Sequence, residues 1–234
     1  MPTQKEIRDW FDHLYEDYGL ESMRSEKAYP VFLDYLNVKS GKRLLDVGCG
    51  TGFLLKEASG RGLEAYGVDL SREAVRLARQ VVPEATIKVG HAEALDFDDD
   101  YFDYLTCTAA LEHFVDMEQG LREMRRVARE DARFCIMVPN SDSLVWRVAV
   151  ALNAIDEESN ENAQSLKAWT RLLTGSGFEI VTVIRDRWWT RKALTSLSLD
   201  RVGFVKRWMD RPSVSPIPLR YANQLVFILE NGGG

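Results

Sequence analysis

The sequence predicts an α/β fold, in which a Rossmann-like and mostly parallel sheet carries helices on both faces. Strand and helix patterns alternate between residues 43 and 138, which is typical of βαβ units. The first strand is a short apolar run that leads into a glycine-rich loop, as expected for a strand buried on both faces. The second strand ends in an acid, Asp69, at the edge where such sheets bind their ligands.

The first strand and its loop span residues 43–52. The glycines of the loop, Gly48, Gly50 and Gly52, remove side chains at alternate positions, so the backbone can turn sharply and a ligand can lie against it. Asp46 precedes the loop, at the carboxyl end of the strand. A carboxylate there suits a cation or an amine better than a pyrophosphate, which favours S-adenosylmethionine over a dinucleotide.

The second predicted strand, residues 65–69, ends in Asp69, and Ser71 caps the helix that follows it. A carboxylate at this position can accept hydrogen bonds from both hydroxyls of a ribose, in the geometry that Rossmann enzymes use about 20 residues beyond their glycines. The glycine spacing is G-x-G-x-G, whereas dinucleotide-binding proteins have G-x-G-x-x-G. A nicotinamide-dependent dehydrogenase therefore fits Asp69 but neither the glycine spacing nor Asp46.

The remaining elements follow from the period of the apolar residues. One helix is expected to begin at Gly52 and another at Ser71. Further strands are predicted at residues 86–89, 104–107, 133–138, 178–184 and 224–230, and further helices at residues 118–128 and 165–174.

Two segments outside this alternation are rich in aromatic residues. Residues 1–40 are largely helical in pattern, with apolar side chains every three or four positions at Ile7, Trp10, Phe11, Leu14 and Tyr18. Residues 186–223 form a connection far longer than a hairpin loop and contain Trp188 and Trp189. Each segment either packs its aromatic side chains on the sheet or covers a ligand; for the first segment the candidate lid residues are Trp10, Phe11, Tyr15 and Tyr18.

With these motifs, the chain resembles the class I S-adenosylmethionine-dependent methyltransferases, and in particular the branch that includes ubiquinone and menaquinone biosynthesis enzymes. The resemblance extends over residues 42–140 and includes the motifs at residues 90–95, 102–114 and 138–140. It implies a seven-stranded sheet whose last strand is antiparallel. It also implies methyl transfer from S-adenosylmethionine to a small-molecule acceptor, with S-adenosylhomocysteine as the product.

The resemblance implies cofactor contacts at the glycine loop, at Asp69 and at the end of the third strand. With the neighbours of these motifs, the predicted cofactor-binding residues are Asp46, Gly48, Cys49, Gly50, Gly52, Asp69, Leu70, His91, Ala92, Glu93, Cys107 and Thr108. His91 departs from the family pattern, because an acid usually accepts a hydrogen bond from the adenine amino group there. We expect His91 to stack on the adenine or to donate to a ring nitrogen instead. Residues 130–132 replace the usual Pro-Gly-Gly turn, a change expected to affect only the surface.

His113 is the predicted catalytic residue. It follows the fourth strand, at the sheet edge toward which the transferred methyl group should point, and an imidazole can serve as a general base or orient an acceptor. A structural histidine that bonds a loop is the competing interpretation, and Glu112 is the alternative base. Methyl transfer requires mainly positioning and electrostatic stabilisation from the protein, so an already nucleophilic acceptor needs no base.

We expect one methyltransferase domain over residues 1–234, with three parts: an N-terminal helical lid at 1–40, a cofactor-binding core at 41–140, and a substrate-side half at 141–234 that contains the 186–223 insertion. The lid and the insertion are expected to roof an apolar or aromatic acceptor. An acidic group on that acceptor could contact Arg185, Arg187 or Arg191. Neither the acceptor atom nor the oligomeric state follows from the sequence.

Composition limits the other classes of function. The net charge of −6 and the isoelectric point near 5.3 argue against a nucleic-acid partner. Apolar runs are too short for a membrane span, and three cysteines without C-x-x-C spacing indicate neither disulfides nor zinc. The acidic run at residues 96–103 is expected to be solvated rather than to bind a metal. A cytoplasmic enzyme is therefore expected, and the alternative is a non-catalytic scaffold or sensor that binds S-adenosylmethionine.

Overall fold

The computed structural model describes residues 2–21, 24–152, 161–186 and 218–232. Its helices are α1 (Gln4–Tyr18), α2 (Pro30–Leu36), α3 (Phe53–Gly60), α4 (Arg72–Val81), α5 (Met117–Val127), α6 (Leu144–Ala151) and α7 (Leu166–Gly175). Its strands are β1 (Arg43–Val47), β2 (Glu64–Asp69), β3 (Thr86–Val89), β4 (Phe102–Thr108), β5 (Ala128–Pro139), β6 (Phe178–Arg185) and β7 (Gln224–Asn231). Short 3₁₀ turns occur at Gly19–Glu21, Glu26–Ala28, Leu111–His113 and Leu219–Tyr221.

The strands form one seven-stranded sheet in the order β3-β2-β1-β4-β5-β7-β6. Strands β1 to β5 pair in parallel, whereas β7 is antiparallel to both β5 and β6. This arrangement confirms the predicted α/β fold with an antiparallel last strand. The chain reverses its direction of travel across the sheet between β1 and β4, which is the place where open α/β sheets bind ligands.

The central strands are covered on both faces, which explains their nearly continuous apolar sequences. Leu45 and Leu105 project into one core, whereas Leu44 and Tyr104 project into the other. Because side chains alternate along a strand, Asp46 lies on the same face as Leu44. The sheet therefore holds this acid within the packed layer behind the glycine loop.

The bounds of β1 and β3 agree with the predicted ones, and those of most other elements differ by one or two residues. The exception is β5, which begins at Ala128 rather than at Arg133. Ala128 pairs with Phe102, and the register then shifts so that Arg133 pairs with Tyr104. The polar residues between these two pairs bulge out of the ladder. This part of β5 therefore lacks the alternation of apolar and polar residues by which a strand is recognised in a sequence.

The N-terminal region contains α1 and α2, in agreement with its largely helical pattern. Thr3 and Glu6 form a reciprocal capping box at the start of α1. Asp12 docks α1 on the start of α4: its Oδ1 accepts hydrogen bonds from the Ser71 hydroxyl at 2.6 Å and from the Glu73 amide at 3.2 Å. Tyr18 is 64% exposed, so it does not belong to the buried face of α1.

Most of the insertion at 186–223, including Trp188, Trp189, Arg187 and Arg191, lies outside the described residues. Within the described ranges, no helix combines the length and the apolar character that crossing a bilayer requires. In the same ranges, no cluster of three or more histidine, cysteine or acidic side chains is arranged to hold a metal ion.

Candidate active site

A cavity of about 460 Å³ lies at the carboxyl edge of the sheet, over the ends of β1, β2, β3 and β4. Its size is typical of a pocket for a small ligand. Ten of the predicted site residues line it: Gly48, Cys49, Gly50, Asp69, Leu70, His91, Ala92, Glu93, Thr108 and His113. Residues from four separate strand ends therefore meet around one space, as parallel strands require.

The glycine loop has a backbone that other residues would not adopt without strain. Gly48 and Gly50 have φ angles of 73° and 49°. A Cβ atom on Gly48 would lie 2.3 Å from the Cβ of Ala110, and one on Gly50 would lie 2.9 Å from the hydroxyl of Tyr15. The absence of side chains thus lets the loop fit between the chain after β4 and helix α1.

The Asp69 carboxylate is held by backbone amides at the cavity wall. One oxygen accepts a hydrogen bond from the Gly50 amide at 2.8 Å, and the other from the Ser71 amide at 2.9 Å. Desolvation raises the pKa of Asp69 to about 6, an effect that these amide bonds partly oppose. The carboxylate is thereby fixed beside the glycine loop with a defined orientation.

Asp46 does not line the cavity, in contrast to the expected cofactor contact. It is 1% exposed and accepts a 2.6 Å hydrogen bond from the hydroxyl of Thr106 on the neighbouring strand. Burial raises the pKa of Asp46 to about 8, although the bond from Thr106 acts in the opposite direction. Gly52 and Cys107 also lie outside the lining, since Gly52 packs against Ala78 and the Cys107 thiol is fully buried in the core.

The chain after β3 forms a second wall, at the predicted adenine position. His91 is partly exposed, and its Nδ1 atom is buried with no hydrogen-bond partner in the described part of the chain. Glu93 holds this wall to its surroundings, because one carboxylate oxygen accepts the Val115 amide at 3.0 Å and the other accepts the Gln4 side chain at 3.4 Å. An unpaired ring nitrogen beside a cavity provides a bonding position for a polar ligand atom.

Helix α1 supplies the roof through Ile7, Trp10, Phe11, Leu14 and Tyr15. The ring of Phe11 meets the ring of His113 edge to face, with centroids 5.0 Å apart. Tyr15 is 3% exposed, and its hydroxyl lies against Gly50. Ile7, Phe11 and Tyr15 are four residues apart, and this spacing is the sequence signal for the face of α1 that covers the cavity. It places Tyr15, and not Tyr18, on that face.

The cavity is also lined by polar residues that the sequence patterns did not bring together: Arg24, Glu112, Glu161 and Gln224. Arg24 forms a buried ion pair with Asp186 and donates a 3.1 Å hydrogen bond to the Gln224 side chain. Arg185, which was expected near an acidic group of the acceptor, is not among the lining residues. Local patterns could not place Arg24 here, since 162 positions separate it from Asp186.

Comparison with known proteins agrees with this fold. The family model described as a methyltransferase domain matches residues 45–136. The methyltransferase YcgJ of Bacillus subtilis strain 168, itself uncharacterised, is 30% identical over 169 residues, which cover 67% of each chain. The demethylmenaquinone methyltransferase of Geobacillus sp. strain WCH70 is 29% identical over 157 residues, which cover 61% of this chain and 66% of that protein.

A solved structure has the same fold with a ligand bound. Phosphoethanolamine N-methyltransferase 2 of Haemonchus contortus, in complex with phosphomonomethylethanolamine and S-adenosylhomocysteine, superposes with a TM-score of 0.66 at 19% identity; the match covers 97% of this chain and 60% of that one. Fold, cavity and relatives together define a methyl-transferring enzyme. The chain belongs to the class I S-adenosylmethionine-dependent methyltransferases, in the branch of the ubiquinone and menaquinone biosynthesis enzymes.

The residues of the cavity fit S-adenosylmethionine, the cofactor of this family. Gly48 and Gly50 line the cavity, and so does His91, whose buried Nδ1 atom has no hydrogen-bond partner among the described residues. Asp69 stands between them at the end of β2. These are the positions at which the family resemblance implies cofactor contacts, and they surround one space.

Proposed function

We propose that this protein transfers the methyl group of S-adenosylmethionine to a small-molecule acceptor with an apolar or aromatic body. The observation that carries the proposal is the continuity of one cavity, which extends from the glycine loop and Asp69 to Glu112 and Gln224. The first end has the features that bind the cofactor, and the second end has space and polar groups for an acceptor. Methyl transfer requires that both molecules lie in one enclosed space.

In this proposal, Asp69 accepts the ribose hydroxyls, the 48–50 loop contacts the amino-acid portion, and His91 contacts the adenine. Asp46 supports the loop from behind rather than by direct contact, because its carboxyl group bonds Thr106. Bound S-adenosylmethionine supplies the electrophilic methyl group. The protein residues hold the acceptor in line with it and exclude water.

The acceptor is proposed to bind beneath α1, next to aromatic side chains. Trp10, Phe11, Tyr29 and Phe114 line this part of the cavity. Their rings favour a flat or apolar body, whose burial contributes about 25 cal/mol per Å² of apolar surface. The N-terminal helix acts as a lid over this space, held to the start of α4 by the hydrogen bonds of Asp12. His113 orients the acceptor, with its ring set by Phe11.

Cofactor preference is tested by thermal and chemical unfolding with S-adenosylhomocysteine and with NAD. A ligand present at about 100 times its dissociation constant stabilises the folded state by roughly 2.7 kcal/mol through linkage. We expect this stabilisation with S-adenosylhomocysteine and none with NAD. The reverse result would contradict the cofactor assignment. Formation of S-adenosylhomocysteine from S-adenosylmethionine is then measured with a panel of aryl acceptors, and turnover restricted to strongly charged, non-aromatic acceptors would contradict the acceptor class.

A further inference from the structure

Glu112 is a buried carboxyl group that the protein leaves incompletely bonded. The residue is 2% exposed and lines the cavity, yet its Oε2 atom has no hydrogen-bond partner among the described residues. An unpaired buried carboxyl oxygen costs the folded protein a desolvation penalty, because it has lost its bonds to water without gaining others. A ligand that donates an N–H or O–H group to this oxygen would offset that cost.

A second carboxyl group faces the same space. Glu161 lines the cavity, is only partly exposed, and interacts electrostatically with Glu112. In the described part of the chain, the arginine that lines the cavity is Arg24, whose guanidinium is already ion-paired with Asp186. The acceptor end therefore has an excess of acidic groups, and a positively charged donor fits it better than a neutral or an anionic one.

Resting on the proposed function, we infer that Glu112 and Glu161 bind an amino group of the acceptor and that the nitrogen of this amine receives the methyl group. The aromatic roof contacts the body of the acceptor, and the two carboxyl groups recognise its amine. The substrate class is accordingly an amine with an aromatic or apolar body.

The proton balance assigns Glu112 a further role. A bound ammonium group first gives one proton to the Glu112 carboxylate and becomes a neutral amine. The nitrogen lone pair then forms a bond to the methyl carbon while the carbon–sulfur bond breaks, and the sulfur keeps that electron pair. The products are a methylated ammonium, S-adenosylhomocysteine and one proton, which Glu112 passes to solvent. Glu112 is thus a general base as well as a recognition group.

The titration of Glu112 suits this role. Burial, together with the nearby Glu161 carboxyl, raises the pKa of Glu112 to about 8. A hydrogen bond from its own backbone amide acts in the opposite direction and lowers the pKa. The other titratable groups near it are Cys107 on β4, whose own pKa is raised, and the adjacent His113. A base with a pKa close to neutral pH can both accept and release a proton during turnover.

The test compares three probes of one shape in the presence of saturating S-adenosylhomocysteine: 2-phenylethylamine, 2-phenylethanol and 3-phenylpropionate. Isothermal titration calorimetry at pH 7 measures affinity and, in buffers of different ionisation enthalpy, proton release. We expect the amine to bind most tightly. Its binding should release close to one proton per molecule, because Glu112 ionises beside the ammonium group. Glu112→Gln should weaken amine binding by about tenfold or more and abolish the proton release, while binding of the alcohol changes little.

Two further variants control the experiment. Glu161→Gln changes a less buried residue and should weaken amine binding while it retains the proton release from Glu112. Glu118 lies on the exposed face of α5, in an ion pair with Arg122. Glu118→Gln should therefore behave as the wild type. Equal affinity for the three probes, binding of none of them at millimolar concentration, or a preference for the acid overturns the inference. Because S-adenosylhomocysteine binding is measured separately, its loss would instead contradict the proposed function.

Discussion

Buried carboxyl groups set the electrostatic character of the site at the scale of single residues. Asp46 and Glu112 both have pKa values raised to about 8, and that of Asp69 is raised to about 6. In each residue desolvation is the largest cause, because burial penalises the charged form. In the ligand-free protein at neutral pH, Asp46 and Glu112 are therefore mainly protonated, whereas Asp69 is mainly ionised.

Glu112 should make the stability of the ligand-free protein depend on pH. Its pKa rises on folding from 4.5 to about 8, so the folded state holds the proton more tightly than the unfolded state. This contribution is fully present below about pH 4.5 and is lost as the pH rises through 8. Urea unfolding measures the free energy of unfolding at each pH. As the pH rises from 5 to 8, we expect that of Glu112→Gln to increase by roughly 2–4 kcal/mol relative to that of the wild type. Parallel curves for the two proteins would show that Glu112 does not titrate in this range.

Asp69 should contribute directly to cofactor affinity. Asp69→Asn keeps the shape of the side chain but loses the charge, and we expect binding of S-adenosylhomocysteine to weaken by about 1.5–3 kcal/mol, the range for hydrogen bonds to charged groups. Calorimetric titration measures the change. Asp98→Asn, an exposed acid outside the cavity, is the matched control and should bind as the wild type does. Unchanged affinity in Asp69→Asn would remove the proposed ribose contact.

At the scale of elements, the site depends on how closely the glycine loop approaches its neighbours. The loop after β1 is pressed between the chain after β4 and the roof formed by α1. Helix α1 is in turn fixed by Asp12 at the start of α4, where the helix dipole favours a negative charge. The cavity is therefore shaped by contacts between elements, and a small change in the loop should be felt by the whole arrangement.

Gly48→Ala should be strongly destabilising. The added Cβ would meet Ala110 at 2.3 Å, and the φ angle of 73° is unfavourable for alanine. Together, overpacking and strain are expected to cost about 2–4 kcal/mol in urea unfolding. Gly60→Ala at the end of α3 is the matched control: an added Cβ would meet nothing within 4 Å, so we expect a change between zero and about 1 kcal/mol of stabilisation. A similar cost at both positions would contradict the close approach at Gly48.

At the scale of the whole molecule, the N-terminal region is tied to the far side of the sheet. Arg24 pairs with Asp186, directly after β6, and with Gln224 at the start of β7. Arg24 and Gln224 also line the cavity, so the same contacts close the fold and shape the site. The pair is buried, with side-chain exposures of 7% and 5%.

Breaking this pair should cost far more than breaking an exposed one. Arg24→Met leaves a buried carboxylate without its guanidinium, and the expected loss is about 3–5 kcal/mol in urea unfolding. Lys56→Met, which breaks the half-exposed pair with Glu26, should cost about 0–1 kcal/mol. Adding Asp186→Asn to Arg24→Met should recover part of the loss, because the uncompensated charge is removed. An equal loss of stability in Arg24→Met and Lys56→Met would contradict this interpretation.

Sequence patterns predicted the elements whose signals are local. The bounds of β1 and β3 follow from short apolar runs between polar or glycine residues. Ser71 caps the helix predicted after it, and Ser165, the predicted first residue of its helix, is the N-cap of that helix. The start of β5 was missed because it depends on the pairing of Ala128 with a distant strand.

The sequence predicted those parts of the candidate site that lie at strand ends marked by motifs. It did not predict the parts whose position depends on how the N-terminal region packs on the sheet. The glycine loop, Asp69 and His91 line one cavity, as their places at neighbouring strand ends predict; their roles toward the cofactor remain predictions. The inward face of Tyr15 and the position of Arg24 depend on how the N-terminal region packs on the sheet. The burial of Glu112 likewise results from the packing of the turn after β4. No local period carries this information, since the contacts join residues far apart in the chain.

The position of β7 between β5 and β6 has a consequence for synthesis on the ribosome. β7 follows the other six strands in the sequence, yet it is the neighbour that covers the outer edge of β5. While the chain from Pro139 to Asn231 is being made, at ~5–20 residues per second, this edge has no permanent partner for about 5–20 s. An open edge of apolar strand pairs readily with other chains. Nascent chains stalled before β7 should therefore be the species most dependent on chaperones.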